Sequence, residues 1–417
     1  MTNLKKFFLY SVIYILCVSS FIISSTNFSS NEKTIEKRNV KRSIKEINSL
    51  KYDSEIMDDL SSYDRQKRNI KIKPRKYKWN LAIKYFIQYP LNRWLIKRVL
   101  KTIEQSTCLR FNIVNSLNSF AYGINFYSSC DCNSPLGRMF EKGWQNIGIG
   151  DQCYNHGGVL RLVLRTLGVI YEHNRIDRNF YVKVHPENMY PKDFTNFEIS
   201  RTTAINNLHL PYEYGSLMHF GMYNFSKNGG KTLSLRDHHY EYTVGQQEVL
   251  TFNDIKTLNM YYCSNICKFK IICNNHGYQD PNDCNKCICI DGFDGNRCEY
   301  HKVLRGCTVP VLTVKREPRF LKFYGKENCF YHLKASRFKK IKIVILKIRM
   351  RSIYPLTCSV YNSFEVKYWK DKTIVGARFC QQRFPKYIIS HNNYVILHYN
   401  SFEQASYVHM YFKGTFR

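Results

Sequence analysis

Two arginines one helical turn apart, Arg161 and Arg165, stand in the apolar run R-L-V-L-R-T-L-G-V-I-Y-E that ends at Glu172. Residues at i and i+4 of a helix share a face, so both guanidiniums are expected to point into the same part of a cleft. A guanidinium offers five N–H donors, has no lone pair for a metal and keeps its proton. The chemistry on offer is bidentate recognition of an anion, or pairing with a nearby carboxylate, since an unpaired buried charge is costly. Arg161 and Arg165 are therefore the candidate anion site. The thirteen histidines supply no rival cluster: only His238 and His239 are adjacent, and no H-x-x-x-H pair occurs. Asn224, in N-F-S, has the form of a glycosylation acceptor and implies a surface loop.

The elements that would position these residues show in the periodicity. Between Leu91 and Thr107, Leu95, Val99 and Ile103 recur at intervals of four, which predicts an amphipathic helix running into Cys108 and the strand-like L-R-F-N-I-V. Gly157 to Leu167 is a second helix, with Leu160, Val163, Leu164 and Leu167 inward and Gly168 as its stop. One long helix per half, with short strands between, predicts an α+β fold. Six cysteines between Cys267 and Cys298, with Gly277, Gly292 and Gly295 at turns, predict a small module held by disulfides. From Leu304 to Arg417 the alternation changes to period two over several short runs, the pattern of a β-sandwich.

At 417 residues the chain has room for two or three domains. Lys5 and Lys6, the apolar run Phe7–Ile23 and the small residues that follow read as a secretory signal over residues 1–25; a signal anchor is the competing reading. A polar, cysteine-free stretch, residues 26–68, ends in Arg65-Gln66-Lys67-Arg68, which suits a secretory convertase and would leave Asn69 as a new N-terminus. Sixteen cysteines on such a route imply a disulfide framework and a secreted, extracellular protein. The net charge of +31, with basic runs at Lys67–Lys78 and Arg337–Arg351, favours anionic partners, although a nucleotide-biased composition would also produce it. No nucleic-acid module accompanies the charge.

These residues resemble the astacin family of zinc metalloendopeptidases, in its nematode-type arrangement of protease, EGF-like and CUB domains. The likeness rests on C-N-S-P-L-G-R from Cys132, C-Y-N-H-G-G from Cys153 and E-H-N-R-I-D-R-N-F-Y-V from Glu172. It continues through L-P-Y-E-Y-G-S-L-M-H-F from Leu210 and F-N-D-I-K-T-L-N-M-Y-Y-C ending at Cys263. It implies a two-lobed metzincin-like domain over 69–264, an EGF-like module over 265–300 and a CUB-like domain over 301–417. It also implies the disulfides Cys108–Cys263, Cys132–Cys153, Cys289–Cys298, Cys307–Cys329 and Cys358–Cys380. The pairing of Cys267, Cys273, Cys284 and Cys287 stays open. Cys130 has no family partner, which suggests a local rearrangement or an intermolecular bond.

The resemblance breaks at the chemistry. In the H-E-x-x-H-x-x-G-x-x-H frame the three zinc ligands correspond to Arg161, Arg165 and Tyr171, the catalytic glutamate to Leu162, and the Met-turn tyrosine to Phe220; Gly168 is kept. Zinc needs imidazole, thiolate or carboxylate donors at about 2.0 to 2.3 Å, so no cofactor is expected, zinc being the family's. Met218 and His219 are expected to pack beneath the former metal floor. Glu172, in the position that receives the mature N-terminus in this family, would pair with Asn69. The CUB-like stretch Y-N-S-F-E-V-K-Y carries Asn362 where a calcium site would place aspartate. The residues thus predict a pseudoprotease that binds extracellular proteins or anionic matrix glycans, with protease inhibitors or substrates among the partners. The family alone implies a zinc metalloendopeptidase acting on extracellular proteins. No nucleic-acid partner and no transmembrane segment after signal cleavage are expected.

Overall fold

The computed structural model describes residues 78–117, 122–200, 210–307, 310–352, 354–381 and 385–415. The signal over 1–25, the propeptide over 26–68, its basic end and Asn69 lie outside the described residues. The fold is α+β.

Strands β1 (Ala82–Ile87), β2 (Arg110–Ile113), β3 (Tyr122–Ser128) and β4 (Gly143–Ile149) form a parallel sheet in the order β2-β1-β3-β4. Helix α1 (Arg93–Ser106) starts at Asn92, whose side chain accepts from the Trp94 and Leu95 N–H groups. It buries Ile96, Val99, Leu100 and Ile103, a stripe at i, i+3, i+4 and i+7. Helix α2 (His156–Thr166) is capped by Asn155 and stops at Gly168, whose φ of 96° suits glycine. Helix α3 (Phe252–Tyr262) opens on a capping box between Thr251 and Asp254. Its Leu258 and Tyr262 enter the core of α1 and α2, and Cys108–Cys263 fastens it there.

The expectation of one long helix per half is therefore corrected. Among the described residues all three α-helices pack on the N-terminal core, while the second lobe is built from 3-10 turns and the two-stranded ladder of β5 (Val182–Val184) and β6 (Leu233–Leu235). Buried aromatics, Tyr212, Tyr214 and Tyr240 among them, fill that lobe in place of a helix stripe.

Between Cys267 and Cys298 the bridges are Cys267–Cys284, Cys273–Cys287 and Cys289–Cys298. They hold two minimal ladders, β7 (Tyr278–Gln279) with β8 (Cys287–Ile288) and β9 (Phe293–Asp294) with β10 (Tyr300–His301). The remaining strands are β11 (Val311–Thr313), β12 (Arg319–Tyr324), β13 (Asn328–Lys334), β14 (Lys340–Arg349), β15 (Ser363–Lys367), β16 (Ala377–Phe379), β17 (Lys386–Ile389), β18 (Tyr394–Asn400) and β19 (Tyr407–Thr415). They make a sandwich of a five-stranded sheet, β11-β13-β18-β15-β16, and a four-stranded sheet, β12-β19-β14-β17. Cys307–Cys329 and Cys358–Cys380 brace it.

The sandwich and the second lobe share one apolar core. Asp237 accepts from the Tyr368 hydroxyl and from Trp369 Nε1 at 3.0 Å. Glu248 accepts from Ser359 Oγ and the Val360 N–H, both at 2.7 Å. The disulfide-rich module lies against the five-stranded sheet, with Phe293 5.1 Å from the His332 ring. Cys130 is disulfide-bonded as well, and no described cysteine is free. Among the described residues no helix is long and apolar enough to cross a membrane.

Candidate functional site

Helix α2 sets the cleft, and its entry is crowded. A Cβ on Gly157 would stand 1.9 Å from the Gln247 carbonyl oxygen, and one on Gly158 2.5 Å from that of Cys153. Only glycine lets the helix N-terminus approach these chains. Leu162 is buried in the N-terminal core with Leu217 and Met218, so the position corresponding to the family's glutamate carries hydrocarbon.

Arg161 is partly buried and donates from Nε to the Leu217 carbonyl at 2.8 Å and from Nη2 to that of Gln246 at 3.3 Å. Burial lowers its pKa from the ordinary arginine value. Arg165 donates from Nε to the Ser134 carbonyl at 3.0 Å, and its guanidinium carbon lies 4.8 Å from the centre of the Tyr171 ring. Neither arginine forms an ion pair among the described residues. The expected neutralisation by a neighbouring carboxylate is thus corrected: main-chain carbonyls and an aromatic face take that role. The two guanidiniums engage different loops, Arg161 the carbonyls of Leu217 and Gln246 and Arg165 that of Ser134.

Tyr171 stacks on His173 with ring centres 5.4 Å apart and tilts against Phe220 at 4.6 Å. His173 is buried and its ring bridges the Asn196 carbonyl and the Phe220 N–H. His219 does the same between the Phe220 carbonyl and the Tyr212 hydroxyl, each at 2.7 Å. Burial pushes the pKa of His173 well below the usual imidazole value and that of His219 to about 4. Both rings are neutral, with both nitrogens engaged. Met218 is buried in the N-terminal core and His219 in the second lobe.

The family's metal is zinc, and these residues do not fit it. Two arginines with no lone pair, a leucine and a phenylalanine stand where donors, a base and a hydroxyl would be needed. No group of three or more His, Cys, Asp or Glu side chains among the described residues could hold a metal ion. In the sandwich, Asn362 is buried and ties Arg351 to Ser401, and the neighbouring Glu365 pairs with Arg378 at 3.1 Å.

A second constellation lies beside the cleft. Glu172, Glu213 and Asp254 line a cavity of about 40 Å³, room for about one water molecule. Glu172 accepts from the Glu213 N–H at 2.8 Å and pairs with Arg175 at 3.1 Å. Glu213 accepts from Thr251 Oγ1 and from the Val375 N–H, both at 2.8 Å. Asp254 accepts from Ser216 Oγ at 2.6 Å and the Leu217 N–H at 3.0 Å. Burial raises Glu172 to about 7 and Glu213 to about 8, and raises Asp254 as well. Of the three, the sequence singled out only Glu172, and its observed cationic partner is Arg175. Glu213 and Asp254 sit inside the L-P-Y-E-Y and F-N-D-I motifs, but nothing local marks them as buried. Asn224 lies in a half-buried turn, its Oδ1 accepting from the Gly221 N–H at 2.7 Å.

A two-lobed domain with a central helix, an embedded glycine stop and a Met-turn beneath it has the frame of a metallopeptidase. Residues 71–263 match the family model for astacin, a peptidase family. Over residues 71–263 the chain is thus similar to the astacin peptidases. It is similar to zinc metalloproteinase nas-34 of Caenorhabditis elegans, 29% identical over 333 residues that cover 79% of this chain and 54% of that protein. Zinc metalloproteinase nas-36 of Haemonchus contortus is 33% identical over 350 residues, covering 82% and 57%. The chain spans about half the length of the relatives it matches. Among solved structures, the hatching-enzyme zinc protease high choriolytic enzyme 1 of medaka is 28% identical, with 45% of this chain and 94% of that chain covered and a TM-score of 0.40. The MASP-1 CUB2 domain bound to Ca2+ covers 24% of this chain and 96% of its own, at 12% identity and a TM-score of 0.20.

Proposed function

We propose that this astacin-like protein is a secreted pseudoprotease, a scaffold that binds extracellular proteins without cleaving them. One observation carries the reading. Arg161, Arg165 and Tyr171 occupy the zinc-ligand positions, and their side chains are spent on carbonyls and on one another. Leu162, at the position where the family carries its glutamate, is buried hydrocarbon and offers no general base to activate water. The disulfides suit an oxidising compartment. Protease inhibitors or substrates that recognise the family's cleft are the partner class this scaffold fits, acting as a decoy.

The test is metal content and proteolysis on the purified protein. Elemental analysis after zinc incubation is expected to give far less than one zinc per chain, and casein is expected to remain intact. Stoichiometric zinc with chelator-sensitive hydrolysis would establish the family's enzymatic activity instead.

A further inference from the structure

The two sheets of the sandwich have unequal outer faces. The five-stranded sheet is covered from within the chain, by the disulfide-rich module at Phe330 and Ile396 and by the second lobe along its other flank. The four-stranded sheet has no such cover among the described residues. Its strands β12, β14, β17 and β19 contain no aspartate or glutamate at all.

The register shows what that open face presents. Lys322 of β12, His409 of β19 and Lys347 of β14 are direct neighbours across the sheet. Burial first, and then the charges of both lysines, lower the His409 pKa. In the next row outward Tyr324, Tyr407 and Arg349 align, and the Tyr324 hydroxyl meets His409 Nε2 at 2.7 Å. In the row on the other side Phe320 packs on Tyr411 at 5.3 Å, and Val344 beside it pairs with Tyr387. Lys413 and Lys342 then face each other, followed by Lys340. Aromatic and basic rows thus alternate along the strands. Phe320, Tyr324, Tyr387 and Ile389 are all more than half exposed.

We propose that this sheet face is a binding site for a linear sulfated glycan, a chain of the glycosaminoglycan class. Six cations, Lys322, Lys340, Lys342, Lys347, Arg349 and Lys413, lie in rows spaced about 4.8 Å across strands and about 6.8 Å along them. None forms an ion pair among the described residues, so an added polyanion would relieve their mutual repulsion. The exposed rings between the rows offer flat faces on which sugar rings stack. An extended anionic sugar polymer fits both features along the alternating rows of this sheet. The site stands apart from the astacin-type cleft, so it holds whether or not that cleft is catalytically silent.

The test measures binding of the full secreted chain to immobilised heparin, with matched variants. Changing Lys322, Lys342, Lys347 and Lys413 to glutamine is expected to weaken binding by at least about tenfold. The same charge removed from α1, by changing Arg93, Lys97, Arg98 and Lys101 to glutamine, is expected to change it by less than about twofold. Tyr387→Ala with Tyr411→Ala should also weaken it without altering charge. Far-UV circular dichroism checks that each variant is folded. Equal losses in the two lysine and arginine sets would overturn the proposal in favour of diffuse attraction by the +31 chain. Tighter capture by phosphatidylserine vesicles than by heparin would overturn it in favour of a membrane surface.

Discussion

A guanidinium at a metal-ligand position has to find acceptors, and Arg161 finds them in the carbonyls of Leu217 and Gln246. Restoring donors therefore has to be collective. Reverting Arg161→His, Leu162→Glu, Arg165→His, Tyr171→His and Phe220→Tyr together is expected to give a protein that takes up one zinc per chain by elemental analysis. Arg161→His alone is expected to take up none. Glu172 and Glu213 have raised folded values of about 7 and about 8, against an ordinary 4.5. The folded chain then holds more protons than the unfolded one across that window. Their contribution to stability is complete below about pH 4.5 and is lost as pH rises through 7 to 8. Urea midpoints should fall between about pH 5.5 and about pH 8.5, and Glu213→Gln should flatten the slope. A midpoint that rises instead would mean that the carboxylates are ionised against a further cation.

Helix α2 is specified by features that do not depend on a metal. Its apolar face, the Asn155 cap and the Gly168 stop are all features of packing and backbone conformation, and none depends on zinc. The tightest constraint is at Gly157. Gly157→Ala forces a methyl against the backbone oxygen of Gln247, 1.9 Å from the new Cβ. Moving that loop also disturbs the adjacent Gln246, an acceptor of Arg161. The expected cost is about 1 to 3 kcal/mol, typical of overpacking, read as a lower denaturation midpoint. Gly229→Ala serves as the comparison: its φ is positive, but its Cβ meets nothing within 4 Å. It should cost only the local backbone strain, on the order of 1 kcal/mol.

Across the whole molecule, the second lobe and the sandwich are joined by a shared core and by hydrogen bonds that Asp237, Thr243 and Glu248 accept from the sandwich. Glu213, one of the cavity's carboxylates, also receives the Val375 N–H from the sandwich. Folding of the two parts is thereby coupled, and calorimetry is expected to show one unfolding transition for both. Replacing Tyr368 and Trp369 by alanine removes the two sandwich donors to Asp237 and two large buried or half-buried rings. That variant is expected to unfold in two steps. A single unshifted transition would show that the interface contributes little. The same docking covers one flank of the five-stranded sheet and leaves the lysine-rich sheet facing outward.

What the sequence determined by itself is what near neighbours decide. A period of four placed helices α1 and α2 within a residue or two, and a period of two marked the sandwich region without placing β11, β12, β13 or β16. The residue types at Arg161 and Arg165 were enough to say that neither side chain can donate a lone pair to a metal, because donor chemistry belongs to the side chain wherever it sits. Helix α3 has its capping box in T-F-N-D, a local signal for a helix start that the apolar periodicity does not reinforce. Only the tertiary structure decided that carbonyls satisfy the arginines, that Glu213 and Asp254 share a cavity with Glu172, and that one sheet face stays uncovered. Burial and partnership are sums over groups distant in the chain: Leu217 reaches Arg161 across 56 positions, and Val375 reaches Glu213 across 162. No local pattern encodes such sums.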